Sequence, residues 1–155
     1  MRILFGLVVV FTLGAAAASC GGGDNASPSN SAPVSSVKVD LSNWAVKPSA
    51  KVLAAGKVSF TISHAMDHGS HGAMDGGATH QLVVAPLDAG AKAGQNKYGK
   101  PLLNVTDLKP GDSKTQDVDL PPGTYELACL LVEDLGAGKS VNHYEKGMFT
   151  TVVVQ

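Results

Sequence analysis

Apolar side chains recur at every second position in short runs between residues 37 and 154, and turn residues cut the runs apart. Val37, Val39 and Leu41 alternate with polar neighbours, Val58, Phe60 and Ile62 repeat the pattern after Gly56, and His80, Leu82 and Val84 form a third run. Residues 114–120 give a fourth, framed by Pro110-Gly111 and Pro121-Pro122-Gly123, and Tyr125, Leu127 and Cys129 share one face of a fifth. The last run puts Met148, Thr150, Val152 and Val154 together. A period of two, punctuated this often, predicts half-buried strands and therefore an all-β sandwich or small barrel.

Two stretches break the alternation. Residues 64–79 are rich in Gly, His and Met, and residues 130–142 separate the fifth run from the last. Both are predicted to be loops at one end of the sandwich, where insertions cost little closure entropy and where sites commonly lie.

Length allows one domain of ordinary size after a targeting segment is set aside, since the chain has 155 residues. Charged residues make up 16% and the formal net charge is −1, so there is no basic footprint for nucleic acid. The 18 glycines and an aromatic content of 5% favour a turn-rich β domain over a helical bundle.

The N-terminal segment has its own logic. Arg2 precedes an apolar run over residues 3–18, which closes on Ala17, Ala18 and Ser19 just before Cys20. This resembles a bacterial lipoprotein signal, in which a cysteine after the small-residue cleavage site accepts lipid. The expectation is a signal peptide over 1–19, a lipidated Cys20 opening a flexible linker over 20–36, and a folded domain over 37–155. Such a protein would sit outside the cytoplasm, held on a bacterial membrane by its lipid without spanning it. Residues 21–36 are Gly, Ser, Asn and Pro rich and have too little apolar content to fold, which suits a tether. With Cys20 committed to lipid, Cys129 has no partner for an internal disulfide. An unpaired thiol in an exported protein is either a small buried apolar residue or a ligand.

Copper that alternates between two oxidation states is held by two imidazoles and a thiolate, with a weak thioether. The chain supplies one such set, in YELAC ending at Cys129, HYEKGM from His143 to Met148, and HQLVVA beginning at His80. Together with VKVDLSNWAVKP and AAGKVSFTI, these segments resemble the cupredoxin family, which includes plastocyanin and azurin, over essentially the whole of 37–155. The resemblance implies a cupredoxin-like Greek-key sandwich or barrel of about seven to eight strands. It also implies one copper ion, cycling between Cu2+ and Cu+, with His80 and His143 as imidazole ligands, Cys129 as the thiolate and Met148 as the axial thioether. The gap between His143 and Met148 is plastocyanin-like, whereas residues 130–142 occupy a place where the family has a much shorter loop. Strands pin both ends of that insertion, so it can bulge outward without displacing His143.

A second cluster lies in HAMDHGSHGAM, where His64, Met66, His68, His71 and Met74 mix imidazoles with thioethers that favour Cu(I). It reads either as a loose copper-binding lip beside His80 or as a solvated polar insertion, and without a thiolate it suits zinc poorly. Gly136-Ala137-Gly138-Lys139-Ser140 imitates the end of a phosphate-binding loop, but Glu133 stands where the leading glycine belongs. The chain also lacks the His-x-His pairs of multicopper oxidases. The functional expectation is therefore a one-electron carrier rather than an enzyme, docking with a redox partner protein. Its rivals are a copper chaperone or resistance protein that meets other copper-handling proteins through the His and Met loop, and a metal-free adhesion module.

Overall fold

The computed structural model describes residues 32–65 and 79–155. Cys20, the apolar run before it, and Met66, His68, His71 and Met74 lie outside the described residues. The described chain begins with β1 (Ser36–Ser42), β2 (Ala45–Pro48), β3 (Val52–Leu53), β4 (Gly56–His64), β5 (His80–Pro86) and β6 (Leu103–Leu108). It continues through β7 (Ser113–Leu120), β8 (Gly123–Ala128), β9 (Val132–Gly136), β10 (Lys139–Asn142) and β11 (Phe149–Val154).

Two sheets face each other. One is four-stranded in the order β2-β1-β4-β7, the other five-stranded in the order β3-β11-β8-β5-β6. Both are mixed, because β1 runs parallel to β4 and β3 parallel to β11 while the other neighbours are antiparallel. The alternation explains the assembly: Val37, Val39 and Leu41 on β1 stand in register with Phe60, Ile62 and His64 on β4, so one face of this sheet is continuous and apolar. It closes against Leu82, Val84, Leu127, Val152 and Val154 of the other sheet in a single buried cluster. Burial of side chains of this size at roughly 1.5–3 kcal/mol each is what holds the sheets together.

The outcome departs from the sequence pattern in three places. Residues 114–120 do form a strand, but β7 is a sheet edge on which Leu120 alone is buried, and its Thr, Gln and Asp side chains remain in water. The two sheets hold more strands than expected because β2 and β3 are short and β6 falls in a stretch without clear alternation. The third departure is residues 130–142, expected to be a loop. They form a two-stranded antiparallel hairpin, β9 with β10. Its turn carries Ala137 and Gly138 at φ of 51° and 73°, the left-handed backbone that a two-residue hairpin loop requires. Gly136-Ala137-Gly138 is thus turn chemistry, which also disposes of the phosphate-loop likeness.

Candidate metal centre

Strand pairing alone brings three of the four candidate ligands to one end of the sandwich. β8 lies between β5 and β11, antiparallel to both, with Ala128 opposite Val83 on one side and Phe149 on the other. The C-terminal end of β8 therefore meets the N-terminal ends of its neighbours. His80 is the first residue of β5, Cys129 follows β8, and Met148 precedes β11. His143 arrives from the turn that joins β10 to β11.

Backbone hydrogen bonds fix that arrangement. The Cys129 N–H donates to the Met148 carbonyl at 3.0 Å, the Met148 N–H to the His143 carbonyl at 3.1 Å, and the His143 N–H to the Leu131 carbonyl at 3.0 Å. Asn142 caps the turn, its Oδ1 accepting the Tyr144 N–H at 3.0 Å and the Glu145 N–H at 3.3 Å. The hairpin leaves and re-enters the fold between Leu131 and His143. Its length is therefore absorbed outside the site, and His143 stays in place.

The ligand atoms of His80, Cys129 and His143 all lie within 4.8 Å of one another, and all three residues are buried. Nδ1 of His80 is 3.2 Å from Nδ1 of His143, which is itself 3.4 Å from Cys129 Sγ. Sγ also accepts the Gln81 N–H at 3.4 Å. Both imidazoles thus turn Nδ1 inward, and their Nε2 atoms are left buried with no hydrogen-bond partner. Met148 is fully buried, and its backbone is hydrogen-bonded to those of Cys129 and His143.

Burial sets the protonation states. It lowers the His80 pKa to about 3, with further contributions from His64 and His143. Burial also lowers that of His143, partly offset by the Glu133 carboxylate, whose Oε2 is 3.8 Å from Nε2. Both rings are therefore neutral at ordinary pH and offer lone pairs without losing a proton. The Cys129 thiol is pushed up by burial, against the pull of the Leu131 and Gln81 N–H groups. Two neutral imidazoles, a thiol that must ionise on binding and a buried methionine form the His2CysMet set of type 1 copper. The donors fit that ion. It would supply one-electron chemistry at this end of the sandwich.

Aromatic rings enclose the histidines. Trp44 meets the His143 ring edge-on at 5.3 Å between centroids, and the His64 ring lies 4.3 Å from that of His80. The sequence groups His64 with the His and Met stretch as a candidate residue of a second copper site. Instead it ends β4 on the buried face, with its Nδ1–H donating to the Leu108 carbonyl at 3.0 Å. It therefore packs against a ligand and does not join the three converging donors. The alternation of Val58, Phe60 and Ile62, continued by two, would have placed it there.

Sequence reasoning missed a buried polar network behind His143. Glu126 on β8 is 1% exposed. Its Oε1 accepts the Tyr144 hydroxyl at 2.7 Å and its Oε2 the Gly94 N–H at 2.9 Å, while the Tyr144 oxygen accepts the Asn96 N–H at 2.9 Å. The residue after a ligand is in this way bolted to β8 and to the 88–101 segment. Nothing in the sequence distinguishes Glu126 from a solvent-facing residue of an alternating strand.

No family model matches the chain, and no curated protein matches it by sequence. Among solved structures, it is similar to reduced auracyanin from the photosynthetic bacterium Roseiflexus castenholzii. The identity is 18%, the match covers 80% of this chain and 99% of that one, and the TM-score is 0.50. Rusticyanin from Thiobacillus ferrooxidans matches at 16% identity over 77% of this chain and 76% of its own, with a TM-score of 0.43. A multi-copper oxidase from Pediococcus acidilactici matches at 14% identity over 85% of this chain but 28% of its own, with a TM-score of 0.42. The auracyanin match establishes a cupredoxin-like fold, and the other two are too distant to add to it.

Proposed function

We propose that the protein is a blue-copper electron carrier, with one copper ion held by His80, Cys129, His143 and Met148. The observation that carries this reading is the convergence of two inward Nδ1 atoms and one Sγ inside a buried, cross-braced site. Donors fixed before the metal arrives change little between Cu(II) and Cu(I), which is what a carrier needs. Rapid delivery of copper to another protein would instead require ligands that an incoming thiol or imidazole can reach, and these three are at most 1% exposed. Met148 would add a weakly bound thioether to the two imidazoles and the thiolate. The redox partner is a protein that docks at this end of the sandwich.

Loading with Cu(II) should produce an intense visible charge-transfer band that Cys129→Ser abolishes, while Met148→Leu keeps the band and shifts the potential. A colourless wild-type protein that retains no copper on dialysis would end the proposal. Replacing Met66, His68, His71 and Met74 together should leave band and potential unchanged. Loss of copper transfer to a second protein in that variant, with its spectrum intact, would favour the chaperone.

We further propose, from the segment ending at Cys20, that the domain works outside the cytoplasm on a lipid anchor. Cys20→Ala should move it from the membrane to the soluble fraction, and unchanged membrane retention would remove the anchor.

A further inference from the structure

A histidine that gives Nδ1 to a metal carries its hydrogen on Nε2, and that N–H becomes a stronger donor once the ring is coordinated. For His143 this atom is buried, unpartnered and turned away from Cys129 and His80. It faces a small cleft of about 180 Å³ lined by Thr79, Leu131, Val132, Glu133 and His143. Glu133 is the one carboxylate in that lining. It stands on β9 opposite Val141, and its Oε2 lies 3.8 Å from Nε2, about an ångström beyond hydrogen-bond length. The Glu133 side chain is 37% exposed, so a rotamer adjustment can close the gap without moving the hairpin.

Resting on the copper reading above, we propose that Glu133 accepts the Nε2–H of metal-bound His143 and so acts as a positioning residue that tunes the copper. The β9–β10 hairpin then has a function that the loop alone did not suggest: it delivers a negative charge to the outer edge of a ligand. An acceptor there increases electron donation by the imidazole, and its charge favours Cu(II) over Cu(I). The same hairpin, with Trp44 on another side, keeps the His143 ring covered.

The test compares copper-loaded wild type with Glu133→Gln and Glu133→Ala. Glu133→Gln keeps shape and an acceptor oxygen but removes the charge. The visible band should persist in both. The ratio of Cu(II) to Cu(I) affinity should fall by about tenfold in Glu133→Ala, equivalent to a rise of about 59 mV in the one-electron midpoint potential. A smaller rise in the same direction is expected for Glu133→Gln. In the Zn(II)-loaded protein, the His143 Nε2–H should be visible by NMR and slow to exchange in wild type, and fast in Glu133→Ala. Unchanged potentials and unchanged exchange, with the band intact in all three proteins, would overturn the role of Glu133 and leave the copper site standing. A wild type without the band would overturn the copper reading first, and this inference with it.

Discussion

Tyr144→Phe isolates the polar network behind the site, because it deletes one oxygen and leaves the ring against Phe149, 5.0 Å away between centroids. That oxygen donates to Glu126 and accepts from Asn96 N–H. Its loss removes one bond to a charged group and one ordinary bond, and leaves the buried Glu126 with the Gly94 N–H as its remaining partner. A cost of about 2–4 kcal/mol follows, or a fall of roughly 10 °C in melting temperature for a domain of this size. The pH dependence makes the prediction specific. Burial and the Glu126 hydrogen bond raise the Tyr144 pKa from 10.0 to about 12. A phenol whose folded pKa is raised contributes its full stabilisation below its unfolded pKa and loses it as pH climbs through the folded value. The advantage of wild type over Tyr144→Phe should thus be constant up to about pH 10 and shrink by on the order of 2 kcal/mol toward pH 12. Urea unfolding of both proteins, freed of metal so that binding does not dominate the balance, measures it across pH 8 to 11.5. An advantage that is absent at pH 8, or that stays level above pH 11, would refute the network as described.

Two further outcomes follow from the same geometry. Copper added to the metal-free protein at pH 7 should release about one proton, from Cys129, because burial already keeps His80 and His143 neutral. Titration calorimetry in buffers of different ionisation heat counts it, and a count near two or near zero would contradict those protonation states. Gly94→Ala should destabilise the protein by about 2 kcal/mol or more and disturb the Glu126 contact. Gly94 sits at φ 81°, and an added Cβ there would lie 2.4 Å from Phe149 Cζ; a melting temperature within a degree or two of wild type would sink that reading.

Legibility tracked how far each residue's role follows from its neighbours in sequence. Alternation located β1, β4, β5, β8 and β11, because each buries one face and a period of two records that directly. The inward placing of Cys129, which extends the set of Tyr125 and Leu127, and of Met148, which begins that of Val152 and Val154, was legible for the same reason, whereas their assignment as ligands came from the cupredoxin resemblance. The hairpin was not, since β9 and β10 bury no complete face and only the glycines of their turn mark them. Glu126 was hidden by a different cause. Its strand is central in the sheet and covered on both sides, so even a carboxylate at an outward position is enclosed, by the 88–101 segment through Gly94 and by the ligand turn through Tyr144. Three of the four ligands belong to strand ends, which local pattern encodes. The groups that surround the site, Trp44 and Tyr144 in turns, Glu126 on β8 and Glu133 on β9, come from separate parts of the chain that meet only in the folded structure. If the ligands specify the ion and those surrounding groups tune it, then substitutions at Glu133 and Tyr144 should change potential or stability while the colour of the copper-loaded protein survives.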